Sequence, residues 1–156
     1  MNKNELVKVI LERLRGDYQE SLDAINETAE TATHEENIAK SKYDTKSIEA
    51  AYLVEGQIKR NGELEAEIAA YQAMRIRSFG KKSRALLSAL IKLEDESGQT
   101  IDLFMGPQAG GMIIEGVQVI TPPSPLGQAL LGKYCGDEVS LELEGKIQKY
   151  RVLDLN

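Results

Sequence analysis

The chain has 156 residues, with nineteen Lys and Arg against twenty-five Asp and Glu, a formal charge of −6, one Cys and no Trp. That length holds one domain or two small ones, and the acidic balance argues against binding bare duplex DNA, which needs a basic footprint. Cys135 is alone, which excludes an internal disulfide and suits a reducing compartment. No run approaches the ~20 apolar residues of a membrane span, and the N-terminus lacks the apolar core of a signal peptide, so a soluble, cytoplasmic protein is expected.

The first element predicted is a long helix from Asn4. Val7, Leu11, Leu14, Tyr18, Leu22, Ile25, Ala29 and Ala32 recur at steps of three or four. The stripe is narrow and flanked by charge, as in a coiled-coil seam. Such a helix cannot bury its stripe alone. Its partner follows in Ala51, Val54, Ile58, Leu64, Ile68, Tyr71 and Met74. Asn61-Gly62 is a turn signal inside that second stripe. Because the apolar spacing resumes in a compatible phase, one continuous helix is expected. The two helices then make an antiparallel hairpin over residues 1–77, with a polar, charged tip at residues 33–44. Near the tip the seam is expected to shrink to Ala29, Ala32 and Ala51.

From Arg75 the composition changes. Residues 78–83 read as a linker with positive charge, and residues 83–156 as a second domain. Its expected elements are an apolar strand over Ala85–Leu93, a turn at residues 94–99 and a paired strand over Thr100–Met105. A loop at Gly106–Gly111 comes next, then a strand over Met112–Ile120 broken at Glu115-Gly116. Ser124 is placed to cap a short helix and Pro125 to occupy its first position, where the missing N–H costs nothing. Gly132 ends that helix. Val139, Leu141 and Leu143 then alternate with polar residues, and Ile147–Leu155 returns. The fold class is α+β: a helical hairpin, then a small, mostly antiparallel sheet with one short helix.

Two stretches now resemble a known family. Ser124-Pro125-Leu126-Gly127-Gln128-Ala129-Leu130-Leu131-Gly132-Lys133, followed by Gly136-Asp137-Glu138-Val139, resembles the C-terminal domain of the GreA/GreB transcription elongation factors. Tyr150-Arg151-Val152-Leu153-Asp154-Leu155 is similar to that family's last strand, and Tyr52-Leu53-Val54-Glu55-Gly56-Gln57-Ile58 to its second-helix segment. The resemblance implies an FKBP-like globular domain that docks on RNA polymerase at the entrance of the secondary channel. It implies a hairpin that enters the channel, and an accessory factor rather than an enzyme. The docking candidates are Ser124, Pro125, Gly127, Gln128 and Lys133. In cleaving members two tip acids help to hold a second Mg²⁺, and the polymerase's own centre cuts backtracked RNA, in keeping with two-metal chemistry.

The tip departs from that pattern. Matching Glu36-Asn37 to the family's Glu-Asn pair puts Thr33 where an Asp is expected. Counting back from Glu55-Gly56 instead puts Asn37 and Lys40 at the two acid positions. Neither register keeps both carboxylates. Glu35, Glu36 and Asp44 are the candidate tip acids, and Glu35 and Glu36 the candidate Mg²⁺ ligands. The chain is expected to need no cofactor of its own, to act as a monomer and to approach the nascent RNA 3′ end only through the polymerase.

Other residues have plainer readings. His34 is the sole histidine, and one ligand does not make a zinc site. Residues 106–111 are glycine-rich but lack the Lys-Ser/Thr of a phosphate loop. Cys135, expected to be half-buried, reads as a structural thiol. Lys81, Lys82 and Arg84 are either linker charge or a contact for an acidic partner. A prolyl isomerase would need an apolar, aromatic-lined pocket, which a chain with Phe79 and Phe104 as its only Phe residues is poorly equipped to build. A coiled-coil scaffold is the remaining alternative.

Overall fold

The computed structural model describes the backbone of residues 1–38 and 45–156 and the side chains of residues 1–31 and 48–156. Helices α1 (Lys3–Ile38) and α2 (Thr45–Ala73) come first. Strands β1 (Leu90–Asp95), β2 (Thr100–Met105), β3 (Ile113–Ile114) and β4 (Val117–Ile120) follow. Helix α3 (Pro125–Leu130) and strands β5 (Glu138–Leu143) and β6 (Lys146–Leu155) complete the chain. This is the expected helical hairpin followed by a small sheet with one short helix. The chain forms two compact units, one of Leu11–Ala69 and one of Met1–Ile10 with Ala70–Asn156.

Helix α1 begins one residue earlier than its apolar stripe predicts, because Asn2 caps it. Asn2 Oδ1 accepts from the Glu5 N–H at 2.9 Å, and Glu5 Oε2 accepts from the Asn2 N–H at 3.3 Å. This reciprocal Asn-x-x-Glu pair satisfies two donors that a helix start leaves orphaned. Helix α2 runs unbroken through Asn61-Gly62.

Within Leu11–Ala69, Leu14 and Leu64 are buried. Tyr18, Ser21, Leu22, Ile25 and Thr28 of α1 are half-buried, as are Val54, Gln57, Asn61 and Ile68 of α2. Positions 54, 57, 61, 64 and 68 step by three and four, the heptad rhythm of a coiled-coil seam. The expected stripe is corrected in two places. Ile58 is 56% exposed, and Gln57 and Asn61 take the sheltered positions beside it. Ala29 and Ala51 are exposed, while Thr28 and Val54 are sheltered; Ala32 lies outside the described side chains. The physical reason is that consecutive helical residues point about 100° apart. A small rotation therefore exchanges which neighbour is covered. Asn61 gains by the exchange, since its Nδ2 donates to the Tyr18 carbonyl at 3.4 Å. Gln57 Oε1, by contrast, is buried without a hydrogen-bond partner.

The other unit is built on one sheet in the order β3-β4-β2-β1-β6-β5. Its pairs are antiparallel except β2 with β4, which run parallel. Ile91 and Leu93 of β1, Leu103 and Met105 of β2, Val152 and Leu155 of β6 and Leu130 of α3 form its core. The register between β1 and β6 shifts at Lys92/Leu93, a bulge that adds a residue to β6 and bends the strand. β1 starts at Leu90 rather than Ala85. Ala85, Ser88 and Ala89 are buried in irregular backbone, with Ser88 at φ 73°. Ser88 is held there because its N–H donates to the Met105 carbonyl and its Oγ accepts from the Arg77 N–H. The stretch read as a linker is thus tied down at both ends. Ala85 N–H donates to the Lys133 carbonyl, and Gly132 N–H to the Ala85 carbonyl.

Leu6, Val7 and Ile10 of α1 and Tyr71 of α2 are also buried in this unit. Tyr71 donates its hydroxyl hydrogen to the Gln108 carbonyl at 2.8 Å. A Cβ built on Gly106 would lie 2.3 Å from that hydroxyl oxygen, so the loop after β2 is shaped around Tyr71.

Candidate functional site

The docking candidates gather on α3 and its ends. Ser124 is extended, φ −67° and ψ 155°, and Pro125 takes the first helical position. Ser124 Oγ accepts from the Gly127 N–H at 3.1 Å and donates to the Thr121 carbonyl at 2.6 Å. One hydroxyl therefore satisfies a helix-start donor and ties the helix to the preceding turn. Gly127 is buried, and a Cβ there would sit 1.8 Å from the Thr121 carbonyl oxygen. No side chain larger than hydrogen fits without moving backbone.

The five candidates thus divide by exposure. Pro125 and Gln128 are exposed and Lys133 is half-buried, whereas the polar groups of Ser124 are used locally and Gly127 is enclosed. The long motif is specific largely because it specifies this capped turn. Of its three leucines, Leu130 is buried, Leu126 packs at the edge of the core and Leu131 is 44% exposed. Cys135 is likewise exposed rather than half-buried, with its thiol donating to the Leu153 carbonyl at 2.8 Å.

At the other candidate site, the backbone of Glu35 and Glu36 belongs to the last turns of α1, and their side chains lie outside the described ones. Asp44 lies outside the described residues altogether. No group of three or more His, Cys, Asp and Glu among the described residues is placed to hold a metal ion.

The β1–β2 turn has the most organised carboxylate in the described structure. Asp95 Oδ1 accepts from the Ser97 hydroxyl at 2.7 Å and from the N–H groups of Ser97 and Gln99 at 2.9 Å each. The Ser97 hydroxyl, and then the Gln99 N–H, hold its carboxyl below the usual carboxylate range. This is turn chemistry, signalled by Asp95-Glu96-Ser97-Gly98 in the sequence.

Comparison with known proteins places these features. Residues 83–156 match the family described as transcription elongation factor, GreA/GreB, C-term. The chain is 29% identical over 148 residues to transcription elongation factor GreA of Desulfovibrio desulfuricans, covering 94% of this chain and 85% of that protein. It is 28% identical over 102 residues to GreA of Polaromonas naphthalenivorans, covering 65% of this chain and 61% of that protein. Among solved structures, the GreA factor homolog 1 (Gfh1) of Thermus thermophilus aligns with a TM-score of 0.43 at 24% identity, over 97% of this chain and 93% of that one. No described helix is long and apolar enough to cross a membrane. The chain is thus similar to GreA factors along most of its length, and its residues 83–156 match the GreA/GreB C-terminal domain.

Proposed function

We propose that this chain is an RNA polymerase-associated transcription elongation factor. In this reading it is an accessory protein, monomeric and cytoplasmic. The globular unit docks near the entrance of the polymerase's secondary channel and the hairpin enters it to modulate elongation. The observation that carries the reading is a GreA/GreB C-terminal domain on the same chain as a long helical hairpin. The 36 residues of α1, at ~1.5 Å each, make a helix on the order of 50 Å long. That length suits a device for acting inside a large partner. Pro125, Gln128 and Lys133 are the docking candidates whose side chains remain available; Ser124 and Gly127 hold the turn that presents them.

Regulation without RNA cleavage is favoured by one observation. No register of the tip keeps both of the family's acids, and Lys40 and Lys42 stand in the same stretch. Any cutting would be done by the polymerase's active site with Mg²⁺ shared there, and Glu35 and Glu36 are what this chain offers to it. A hard cation of that kind takes carboxylate oxygens and keeps several waters. The prolyl isomerase reading gains no support from the two Phe residues. Phe104 is fully buried, and Lys3 Nζ lies 4.7 Å from the centroid of the Phe79 ring.

The test uses stalled, backtracked transcription complexes. The protein should co-purify with polymerase, compete with a known channel binder and change elongation without shortening the RNA. RNA shortened by wild type but not by Glu35→Ala/Glu36→Ala would replace the regulatory reading with cleavage stimulation. Failure both to co-purify and to compete would overturn polymerase association itself.

A further inference from the structure

Residues 75–84 hold Arg75, Arg77, Lys81, Lys82 and Arg84 with no Asp or Glu among them, in a chain whose net charge is −6. These five of the nineteen cations occupy ten residues, and they do not ride on a loose tether. Arg77 N–H donates to Ser88 Oγ at 2.9 Å, and Gly80 and Ser83 close a turn on each other through two hydrogen bonds. Arg84 bridges to Tyr134 as an isolated antiparallel pair. The stretch is therefore a fixed part of the globular unit.

A groove of about 350 Å³ opens along it, lined by Arg77, Phe79, Lys82, Arg84, Leu86 and Tyr134 among others. No acidic residue lines it. Three cations elsewhere have acidic partners: Lys92 meets Asp102 at 3.1 Å, Arg151 meets Glu138 at 3.3 Å and Arg60 meets Glu67 at 3.3 Å. Among the described residues, the side chains of Arg77, Lys82 and Arg84 make no ion pair. The groove also has an apolar side. Tyr134 is 47% exposed, and Leu86 and Phe79 are half-buried. Lys3 closes one face of Phe79 and donates to the Arg77 carbonyl, so it braces the groove wall.

We infer that this groove is a docking site for an acidic segment of a partner protein, one in which carboxylates alternate with a leucine or aromatic side chain. The unpaired guanidinium and ammonium groups match the carboxylates, since guanidinium forks donate to carboxylate oxygens in bidentate fashion. The Phe79, Leu86 and Tyr134 surfaces match the apolar side chain, as aromatic anchors do in interfaces. An extended nucleic acid fits less well, because the three cations of the groove make a short footprint for a run of phosphates. The inference rests on the groove's own chemistry and stands whether or not the partner is a polymerase.

The experiment is a titration of the full ¹⁵N-labelled chain with a short synthetic peptide of Asp and Glu carrying one Leu and one Phe. Saturable shifts should concentrate at Arg77, Phe79, Lys82, Arg84 and Tyr134. Lys82→Glu/Arg84→Glu should weaken binding by roughly tenfold or more while the sheet resonances stay in place. Lys149→Glu, a charge reversal in a groove that already mixes acids and cations, should leave binding unchanged. The inference is overturned if the shifts are absent or scattered, or if Lys149→Glu weakens binding as much. It is also overturned if oligouridylate or tripolyphosphate binds the same residues more tightly than the peptide.

Discussion

The residues of the hairpin unit carry seven Lys and Arg against fourteen Asp and Glu, a net −7; those of the globular unit carry twelve against eleven, a net +1. The acidity of the whole chain is therefore a property of one region. An argument from net charge against anionic partners applies to the hairpin. It does not apply to a domain whose cations are gathered at residues 75–84. Burial divides the same way. Among the described side chains, two buried apolar residues, Leu14 and Leu64, lie in the hairpin unit and nineteen in the globular unit. The hairpin's seam is half-buried and includes Ser21, Gln57 and Asn61, with one buried oxygen unpaired. A seam of that kind specifies register better than it supplies stability.

If this contrast is sound, Leu64→Ala should have the largest effect. Loss of a fully buried leucine costs about 2–5 kcal/mol, and the hairpin has little else to offset it. Hydrogen exchange should show amides of α2 opening while β1, β2 and β6 stay protected. Equal loss of protection in the sheet would mean that the chain unfolds as one unit, and the contrast would break.

Glycines sharpen the comparison. Gly62 lies in the middle of α2, and nothing stands within 4 Å of a Cβ placed there. Gly62→Ala should raise hairpin stability by about 1 kcal/mol, the helix propensity difference. Gly127→Ala should act oppositely, lowering the stability of the globular unit by about 1–3 kcal/mol through overpacking against the Thr121 carbonyl. Thermal melts followed by far-UV dichroism, with sheet amides monitored separately, give both signs. Two changes of the same sign would remove the distinction between a glycine that the fold requires and one that it only tolerates.

The smallest expected effect belongs to the β1–β2 turn. The Asp95 carboxyl titrates below its ordinary 3.8 in the folded chain, so its contribution is present above the unfolded pKa and is lost as pH falls through the folded one. The denaturant midpoint of Asp95→Ala should lie below that of wild type near neutral pH. The gap should close as the solution is acidified below pH 3.8. A gap unchanged across that range would show that the carboxylate's charge is not what holds the turn.

Much of this was legible along the chain because it is local. Ser124-Pro125 announces a capped helix from three residues of context. Val139, Leu141 and Leu143 announce a strand by alternation alone, and Glu115-Gly116 announces the break between β3 and β4. The capping role of Asn2 was equally local; its signal, a Glu three residues on, sat ahead of the apolar stripe on which the helix start was judged. Of the candidate site, the motif around α3 was readable, but two of its five candidates, Ser124 and Gly127, are there for the turn. That distinction needed the Thr121 carbonyl, which the same motif brings into contact only after folding.

What the sequence by itself determined is the order and type of the elements, a helical hairpin and then a small sheet, since periods of 3.6 and 2 are written in neighbouring residues. Only the tertiary structure decided which face of α2 is sheltered, that β2 and β4 run parallel, and that residues 75–84 are bound into the domain instead of linking it. Each of those outcomes depends on a partner fifteen or more residues away: α1 for Gln57 and Asn61, β4 for β2, and the Gly132–Tyr134 segment for Arg84 and Ala85. Hydrophobic spacing records that a residue wants cover, and the covering segment determines which residue receives it.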